Sequence, residues 1–185
     1  MAVSQDILDK LKETEKKYGL PEGLLYAQMM QESGGKTYDK YGNILRSKAG
    51  AQGIMQFMPD TAKQYGVDVA NPMSSIEGAG KMMRDMLKQT GGNVSMAIGA
   101  YNWGIGNIKK FMEGHKSVMP LETQHYIKNI LGKIGKVYDY IVGTTVKETK
   151  TKAVEQGDYI EIVIRFSKAQ MDEIRSMYRG RYGKR

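Results

Sequence analysis

Residues 47–62 read SKAGAQGIMQFMPDTA, a stretch that begins with small residues and ends in the start of a helix. Small residues such as Gly50 and Gly53 let the backbone pack closely or line a groove for a ligand. Gln56 offers a directed hydrogen-bond donor and acceptor among apolar neighbours. The pattern predicts a packed loop or one wall of a binding groove, followed by a short helix from Pro59 that Gly66 closes.

A glutamate stands on the apolar face of the helix that precedes this stretch. We predict that helix over about 21–33, with Leu25, Met29 and Glu32 at i, i+4 and i+7 on one face. A carboxylate on an apolar face loses hydration when it ionises, so its pKa rises, as a general acid working near neutral pH requires. Taken alone, Glu32 is better explained by a structural hydrogen bond at the helix end.

A third cluster places Tyr101 and Asn102 side by side at the end of another predicted helix, next to the single tryptophan, Trp103. Tyr101 lies four residues after Ala97, on a face of small residues, so we expect its ring to point inward. This pair could hold a substrate or orient an acid. It could also be a core tyrosine capped by an asparagine.

In this order the three clusters resemble the catalytic domain of lytic transglycosylases of the soluble-lytic-transglycosylase type, which has a lysozyme-like fold. Members of that family carry Glu-Ser at a helix end, then Ser-x-x-Gly-Ala-x-Gly-(apolar)-Met-Gln-(apolar)-Met-Pro-x-Thr-Ala, Ala-Tyr-Asn-x-Gly and Glu-Thr-x-x-Tyr. The matching segments here are 32–33, 47–62, 100–104 and 122–126. The resemblance spans about residues 18–135 and implies a mainly α fold.

The resemblance also implies a role for each matched residue. Glu32 would be the single catalytic acid/base of a peptidoglycan lytic transglycosylase, which forms 1,6-anhydromuramoyl ends without water. Tyr101 would hydrogen-bond and orient Glu32, and Ser33 would be structural. No metal or cofactor is expected. The implied substrate-binding residues are Ser47, Gln56, Met58, Tyr101, Asn102 and Tyr126.

The loop between Glu32 and Ser47 is longer than in the family. Its extra segment contains Tyr38, Asp39 and Tyr41, which would extend one wall of the groove and stack on sugars, or pack on the loop itself. Asp39 is also a second carboxylate. It leaves open a lysozyme-like hydrolysis by water as the alternative reaction.

The composition of the 185 residues excludes several other chemistries. Without cysteine the chain has no disulfide, catalytic thiol or thiolate-bound metal, and its two histidines are too few for a His-rich metal site. No stretch approaches the roughly 18 apolar residues of a membrane span. The net charge of +8 favours an anionic partner, for which we expect the cell wall rather than nucleic acid.

The sequence pattern changes at Gly143. Up to residue 142 it predicts helices, the first over 4–18, and this part is the expected lysozyme-like domain 1–142. Residues 158–166 alternate between apolar and polar as a strand does, and residues 167–170 resemble a capping box. We therefore predict a small basic α+β appendage over 143–185, with a strand or β-hairpin followed by a helix.

The amino terminus lacks the basic start and apolar run of a secretory signal, so we expect synthesis in the cytoplasm and action on the cell wall in the periplasm. Such an enzyme suits a bacteriophage. We expect a virion-associated protein that docks on other virion or tail proteins through 143–185. The alternatives are a muramidase or endolysin released at lysis, and a structural virion component with weak activity or none.

Overall fold

The computed structural model describes residues 3–115 and 118–142, with side chains as far as residue 134. Its helices, in chain order, are α1 (Gln5–Tyr18), α2 (Leu24–Glu32), α3 (Pro59–Tyr65), α4 (Pro72–Gln89), α5 (Val94–Trp103), α6 (Ile105–Met112) and α7 (Leu121–Val142). The predicted mainly helical fold is therefore confirmed for the part that the structure describes. The predicted appendage at 143–185 lies outside the described residues.

Most helix ends follow the capping pattern of the sequence. α1 and α3 end at Gly19 and Gly66, both in the left-handed conformation that glycine adopts without strain. α4 and α5 begin behind Asn71 and Asn93, whose side chains accept hydrogen bonds from backbone amides of the first turn. The predicted end of the first helix at residue 18 and the predicted end of the short helix at Gly66 are therefore confirmed.

The predicted start of α2 at Pro21 is wrong. The helix begins at Leu24, behind Gly23, whose φ of 77° is incompatible with a right-handed helix. Because Gly23 has no side chain to cap α2, a buried carboxylate of α1 does so. Glu15 accepts hydrogen bonds from the amides of Gly23 and Leu25 at 2.9 and 2.7 Å. α1 thereby fixes the start of α2.

The core forms around α2, which packs against α1, α4 and α7. Five of the nine residues of α2 are buried, so neighbouring elements hold the helix on several sides. α5 packs against α4, α6 and α7. The largest fully buried side chains on these helices include Leu25, Met29, Ile76, Met83, Ile98 and Ile127. Burying an aliphatic side chain of this size contributes about 2 kcal/mol, so this core fixes the position of α2.

α4 presents an apolar stripe to this core. Ile76, Ala79, Met83 and Met86 are buried, and Leu87 packs partly buried beside them. Polar residues separate these positions along the helix, as expected of an amphipathic helix at a protein surface. Throughout 3–115 and 118–142, no helix combines the length and apolar character needed to cross a bilayer.

The segment from α2 to α3 is the predicted loop. Single antiparallel bridges pair Tyr38 with Ile44, Arg46 with Gln52, and Gln52 with Phe57. Gly53 has a φ of 72°, and a Cβ atom there would lie 2.4 Å from the carbonyl oxygen of Val69. Only glycine fits this close backbone approach without strain. The tight packing predicted from the small residues is therefore present at Gly53.

Candidate active site

Glu32 is the last residue of α2. Burial raises its pKa from an ordinary 4.5 to about 7, although a hydrogen bond from Tyr126 acts in the opposite direction. The negative end of the helix dipole also disfavours a carboxylate at this terminus. Glu32 is therefore a carboxyl group that gains and loses its proton near neutral pH, as its place on the apolar face predicts.

Tyr126 contacts this carboxyl directly from α7. Its hydroxyl donates a hydrogen bond to Oε1 of Glu32. Burial, followed by the charge of Glu32, raises the pKa of the Tyr126 phenol well above its usual range, so the phenol keeps its proton. The sequence predicts Tyr126 only as a substrate-binding wall residue. The structure adds that it is the hydrogen-bond donor to Glu32.

Tyr101 does not make the hydrogen bond to Glu32 that the resemblance implies. Its hydroxyl donates to the carbonyl oxygen of Met55 at 2.8 Å, and a phenol has only one proton to donate. The ring points inward, as predicted, and meets Phe57 edge to face with 6.3 Å between ring centroids. Burial, and then the nearby charge of Glu32, raises the pKa of the Tyr101 phenol. Tyr101 therefore ties α5 to the turn beside Glu32.

Ser33 closes the helix that ends at Glu32. Its hydroxyl donates to the carbonyl oxygen of Ile54 at 2.7 Å and accepts from the amides of Gly35 and Lys36 at 3.1 and 3.2 Å. The predicted structural role of Ser33 is confirmed. The bond to Ile54 also attaches the 47–62 stretch to the carboxyl end of α2.

Gln56 is the one residue other than glycine with a positive φ, 49°, within the described ranges. A residue other than glycine is uncommon in this left-handed backbone conformation, which persists only where the surrounding structure holds it. Nε2 of the Gln56 side chain donates to the carbonyl oxygen of Gly53 at 2.8 Å. An amide has two protons and an acceptor oxygen, so Gln56 retains capacity to bind a ligand.

The other predicted substrate-binding residues lie at the surface. Met58 is 45% exposed at the N-cap position of α3. Ser47 is exposed and accepts a hydrogen bond from a backbone amide of its own loop at 3.0 Å. Asn102 is exposed, and its side-chain oxygen accepts from the Thr123 hydroxyl at 2.8 Å. Contact of Ser47, Gln56, Met58 and Asn102 with a substrate stays a prediction.

Asp39 is bound within its own loop. Slight desolvation opposes ionisation, but the amides of Tyr41 and Asn43, at 2.8 and 3.0 Å from Oδ1, lower the pKa of Asp39. The Tyr38 hydroxyl donates to the carbonyl oxygen of Ala70 at 2.8 Å. These contacts attach the long loop to the segment before α4, and they leave Tyr41 exposed.

Sequence reasoning missed two buried polar residues of α1 and α2. Gln28 lies fully buried one turn before Glu32, and its i, i+4 spacing to Glu32 is the pattern that could have shown it. Glu15 caps α2. The signal for this cap in the sequence is Gly23, which stands at a helix start and has no side chain to cap it, so another residue must do so. In the part of the chain that the structure describes, no group of three or more His, Asp or Glu residues could hold a metal ion.

Comparisons with known proteins agree with the motifs. The model of the transglycosylase SLT domain family matches residues 9–120. The chain is similar to an inactive mutant of the lytic transglycosylase Slt from Pseudomonas aeruginosa, with a TM-score of 0.57 and 24% identity over 73% of this chain. It is also similar to the 70 kDa soluble lytic transglycosylase of Escherichia coli, with a TM-score of 0.56 and 24% identity over 73% of this chain. At 24% identity these two structures show a shared fold, and the chain spans 24% of the length of each.

Proposed function

We propose that this chain, which belongs to the transglycosylase SLT domain family, is a peptidoglycan lytic transglycosylase with Glu32 as its single acid/base. The family match includes Glu32, the 47–62 stretch and Tyr101. The observation that carries the proposal is the partly buried Glu32 carboxyl, with a pKa of about 7 and a hydrogen bond from Tyr126. The proposed substrate is the β-1,4 bond from N-acetylmuramic acid to N-acetylglucosamine.

The first step uses Glu32 as an acid. The protonated carboxyl gives its proton to the glycosidic oxygen while the bond from this oxygen to the anomeric carbon of the muramoyl residue breaks. The leaving N-acetylglucosamine keeps the oxygen and the proton. As Glu32 becomes a carboxylate, the hydrogen bond from Tyr126 becomes charge-assisted and hence stronger. An interaction that strengthens along the reaction lowers its barrier.

The second step uses the same group as a base. The Glu32 carboxylate takes the proton of the muramoyl 6-hydroxyl while that oxygen bonds to the anomeric carbon, which closes a 1,6-anhydro ring. Glu32 ends protonated, ready for the next bond, and no water is consumed. A pKa near the working pH suits one group to both transfers, because neither protonation state is then strongly disfavoured.

Hydrolysis is less well supported than this internal attack. A glycosidase that uses water or a covalent intermediate needs a second carboxylate across the scissile bond. The additional acid considered from the sequence, Asp39, accepts hydrogen bonds from two amides of its own loop. This role in the loop makes Asp39 a poor candidate for the second carboxylate.

Four residues are proposed to bind the glycan next to Glu32. The free donor and acceptor capacity of Gln56 suits the N-acetyl groups of the sugars. The exposed thioether of Met58 offers an apolar surface to a sugar ring. Ser47 and Asn102 would add polar contacts at the edges of the groove.

Digestion of purified peptidoglycan tests this function. The wild-type chain should release soluble fragments, and Glu32→Gln should lower the rate by at least about a hundredfold, since it removes the acid but keeps the shape. Glu113→Gln, which changes an exposed glutamate after α6, is the matched control and should behave as wild type. If Glu32→Gln and the wild type were equally active, and circular dichroism showed that both are folded, Glu32 would be excluded as the acid.

We also propose that the enzyme acts from a bacteriophage particle, with 143–185 as the docking segment. In support, this segment lies beyond the family match and carries ten Lys or Arg residues against six Asp or Glu residues. Deletion of 143–185 should then abolish incorporation into particles and spare activity on purified wall. Full incorporation of the deleted chain would contradict the docking role.

A further inference from the structure

Gln28 is a polar residue in the centre of the core. Its side chain is fully buried on α2, and its Nε2 and Oε1 atoms complete no hydrogen bond among the described residues. A buried amide without partners costs stability, and an apolar side chain would avoid that cost. Its presence therefore points to a role other than stabilising the core.

The surroundings of Gln28 connect it to the acid. Residues 28 and 32 are i and i+4 on α2 and share a face, and α2 packs against the helix that carries Tyr126. Burial and Glu32 raise the pKa of the Tyr126 phenol, and Gln28 lies close enough to its hydroxyl to oppose that rise, without completing a hydrogen bond in this arrangement. The same hydroxyl donates to Glu32. Tyr126 thus stands between the amide of Gln28 and the carboxyl of Glu32.

We propose that Gln28 is a positioning residue that keeps the Tyr126 hydroxyl on Glu32 through both protonation states of the carboxyl. An amide serves this purpose because it offers both a donor and an acceptor. When Glu32 is ionised, Tyr126 donates to it, as in the structure, and a small turn of the Gln28 side chain lets Nε2 donate to the phenol oxygen. When Glu32 is protonated, the carboxyl donates to the phenol oxygen and the phenol proton turns to Oε1 of Gln28. The phenol hydroxyl and the Gln28 amide group turn between the two arrangements, and no backbone has to move.

This inference rests on the proposed function, because only a group that is acid and base in turn requires both arrangements. A leucine or methionine at position 28 would fill the same space but leave the phenol with one partner. The hydrogen bond from Nε2 polarises the phenol and strengthens its donation to the carboxylate. Loss of the amide should therefore raise the pKa of Glu32, but only while the Tyr126 hydroxyl is present.

The test compares Gln28→Met, Tyr126→Phe and the double variant in the full chain, with Gln28→Leu as a second variant of the same kind. Methionine keeps the length of the side chain and removes both polar atoms. An NMR titration of the Glu32 carboxyl measures its pKa without reference to activity. We expect Gln28→Met to raise that pKa, and to do so only when Tyr126 is intact. We also expect kcat on peptidoglycan to fall by roughly tenfold, a part of the general acid–base contribution, with KM unchanged.

A purely structural Gln28 gives the opposite pattern. Gln28→Met and Gln28→Leu would then lower the melting temperature and leave the pKa of Glu32 unchanged, or shift it equally in the Tyr126→Phe background. Either outcome overturns the inference. Failure of the proposed function would give a different result from failure of this inference, because the wild-type chain would then not cleave peptidoglycan. The titration would still report whether Gln28 and Glu32 are coupled through Tyr126.

Discussion

The hydroxyl of Tyr126 donates a hydrogen bond to the carboxyl of Glu32, although 94 positions separate the two residues in the sequence. α2 presents the carboxyl at its end, and α7 supplies the donor. Burial raises the pKa of Glu32 to about 7, and the Tyr126 hydroxyl keeps it from rising further. Glu32 can therefore give and accept a proton near neutral pH, while Tyr126 keeps its own proton and holds the carboxyl in place.

The pH dependence of cleavage should have a single limb. Since Glu32 must start the reaction protonated and its pKa is about 7, kcat/KM should be level below that pH and fall about tenfold per unit above it. Tyr126→Phe removes the hydrogen bond that lowers the pKa, so the fall should move to higher pH. Release of soluble fragments from purified peptidoglycan across this range measures both effects. A bell-shaped profile for the wild type would instead indicate a second catalytic group.

Glu32→Gln should stabilise the protein at high pH only. The pKa of Glu32 is about 7 in the folded chain against an ordinary 4.5, so the unfolded chain loses this proton first and the free energy of unfolding falls as the pH rises between these values. Removing the ionisable group should raise the free energy of unfolding by up to about 3 kcal/mol above pH 7, and leave it nearly unchanged below pH 4.5. Urea unfolding at both pH values checks this. An equal gain at both would contradict the raised pKa.

Tyr101→Phe should lower the stability of the fold without moving the pH profile of cleavage, unlike Tyr126→Phe. It removes the donor to the Met55 carbonyl, which should cost about 1–2 kcal/mol of unfolding free energy. Because this hydroxyl makes no hydrogen bond to Glu32, the limb of the pH profile should stay in place. Thermal unfolding and the pH profile of both variants provide the comparison. A shifted limb in Tyr101→Phe alone would restore the role that the resemblance gives to Tyr101.

Glu15→Ala should destabilise the fold through α2. The substitution leaves the amides of Gly23 and Leu25 buried without their acceptor, which should cost at least about 2 kcal/mol. Glu15→Gln keeps one acceptor oxygen and should cost less. Glu13→Ala, at an exposed position of the same helix, is the control. Equal unfolding midpoints for Glu15→Ala and Glu13→Ala in urea would show that this cap contributes nothing.

The sequence predicts the features that depend on local spacing. Glu32 follows from its i, i+4, i+7 relation to apolar residues, because this spacing alone places a side chain on a helix face. Asn71 and Gly66 mark helix ends because their effect on the backbone is local. The close approach at Gly53 follows from the absence of a side chain.

Features that depend on packing between helices are not predictable in this way. The motifs contain two tyrosines, Tyr101 and Tyr126, and the direction of each hydroxyl depends on how α5 and α7 pack on α2. Glu15 looks in the sequence like the solvated acids around it on α1, because only the fold brings the amides of Gly23 and Leu25 against it. Gln28 looks like a polar residue in a partly exposed helix, and only the packing of α2 shows that it is buried.

Digestion of purified peptidoglycan in water enriched in heavy oxygen, with mass spectrometry of the products, tests most directly whether Glu32 directs attack by the muramoyl 6-hydroxyl. Internal attack consumes no water, so the products should end in 1,6-anhydromuramoyl groups without label, and Glu32→Gln should form them at least about a hundredfold more slowly. Reducing muramic acid ends that carry a labelled oxygen would mean that water attacks the anomeric carbon, and would contradict the proposed mechanism.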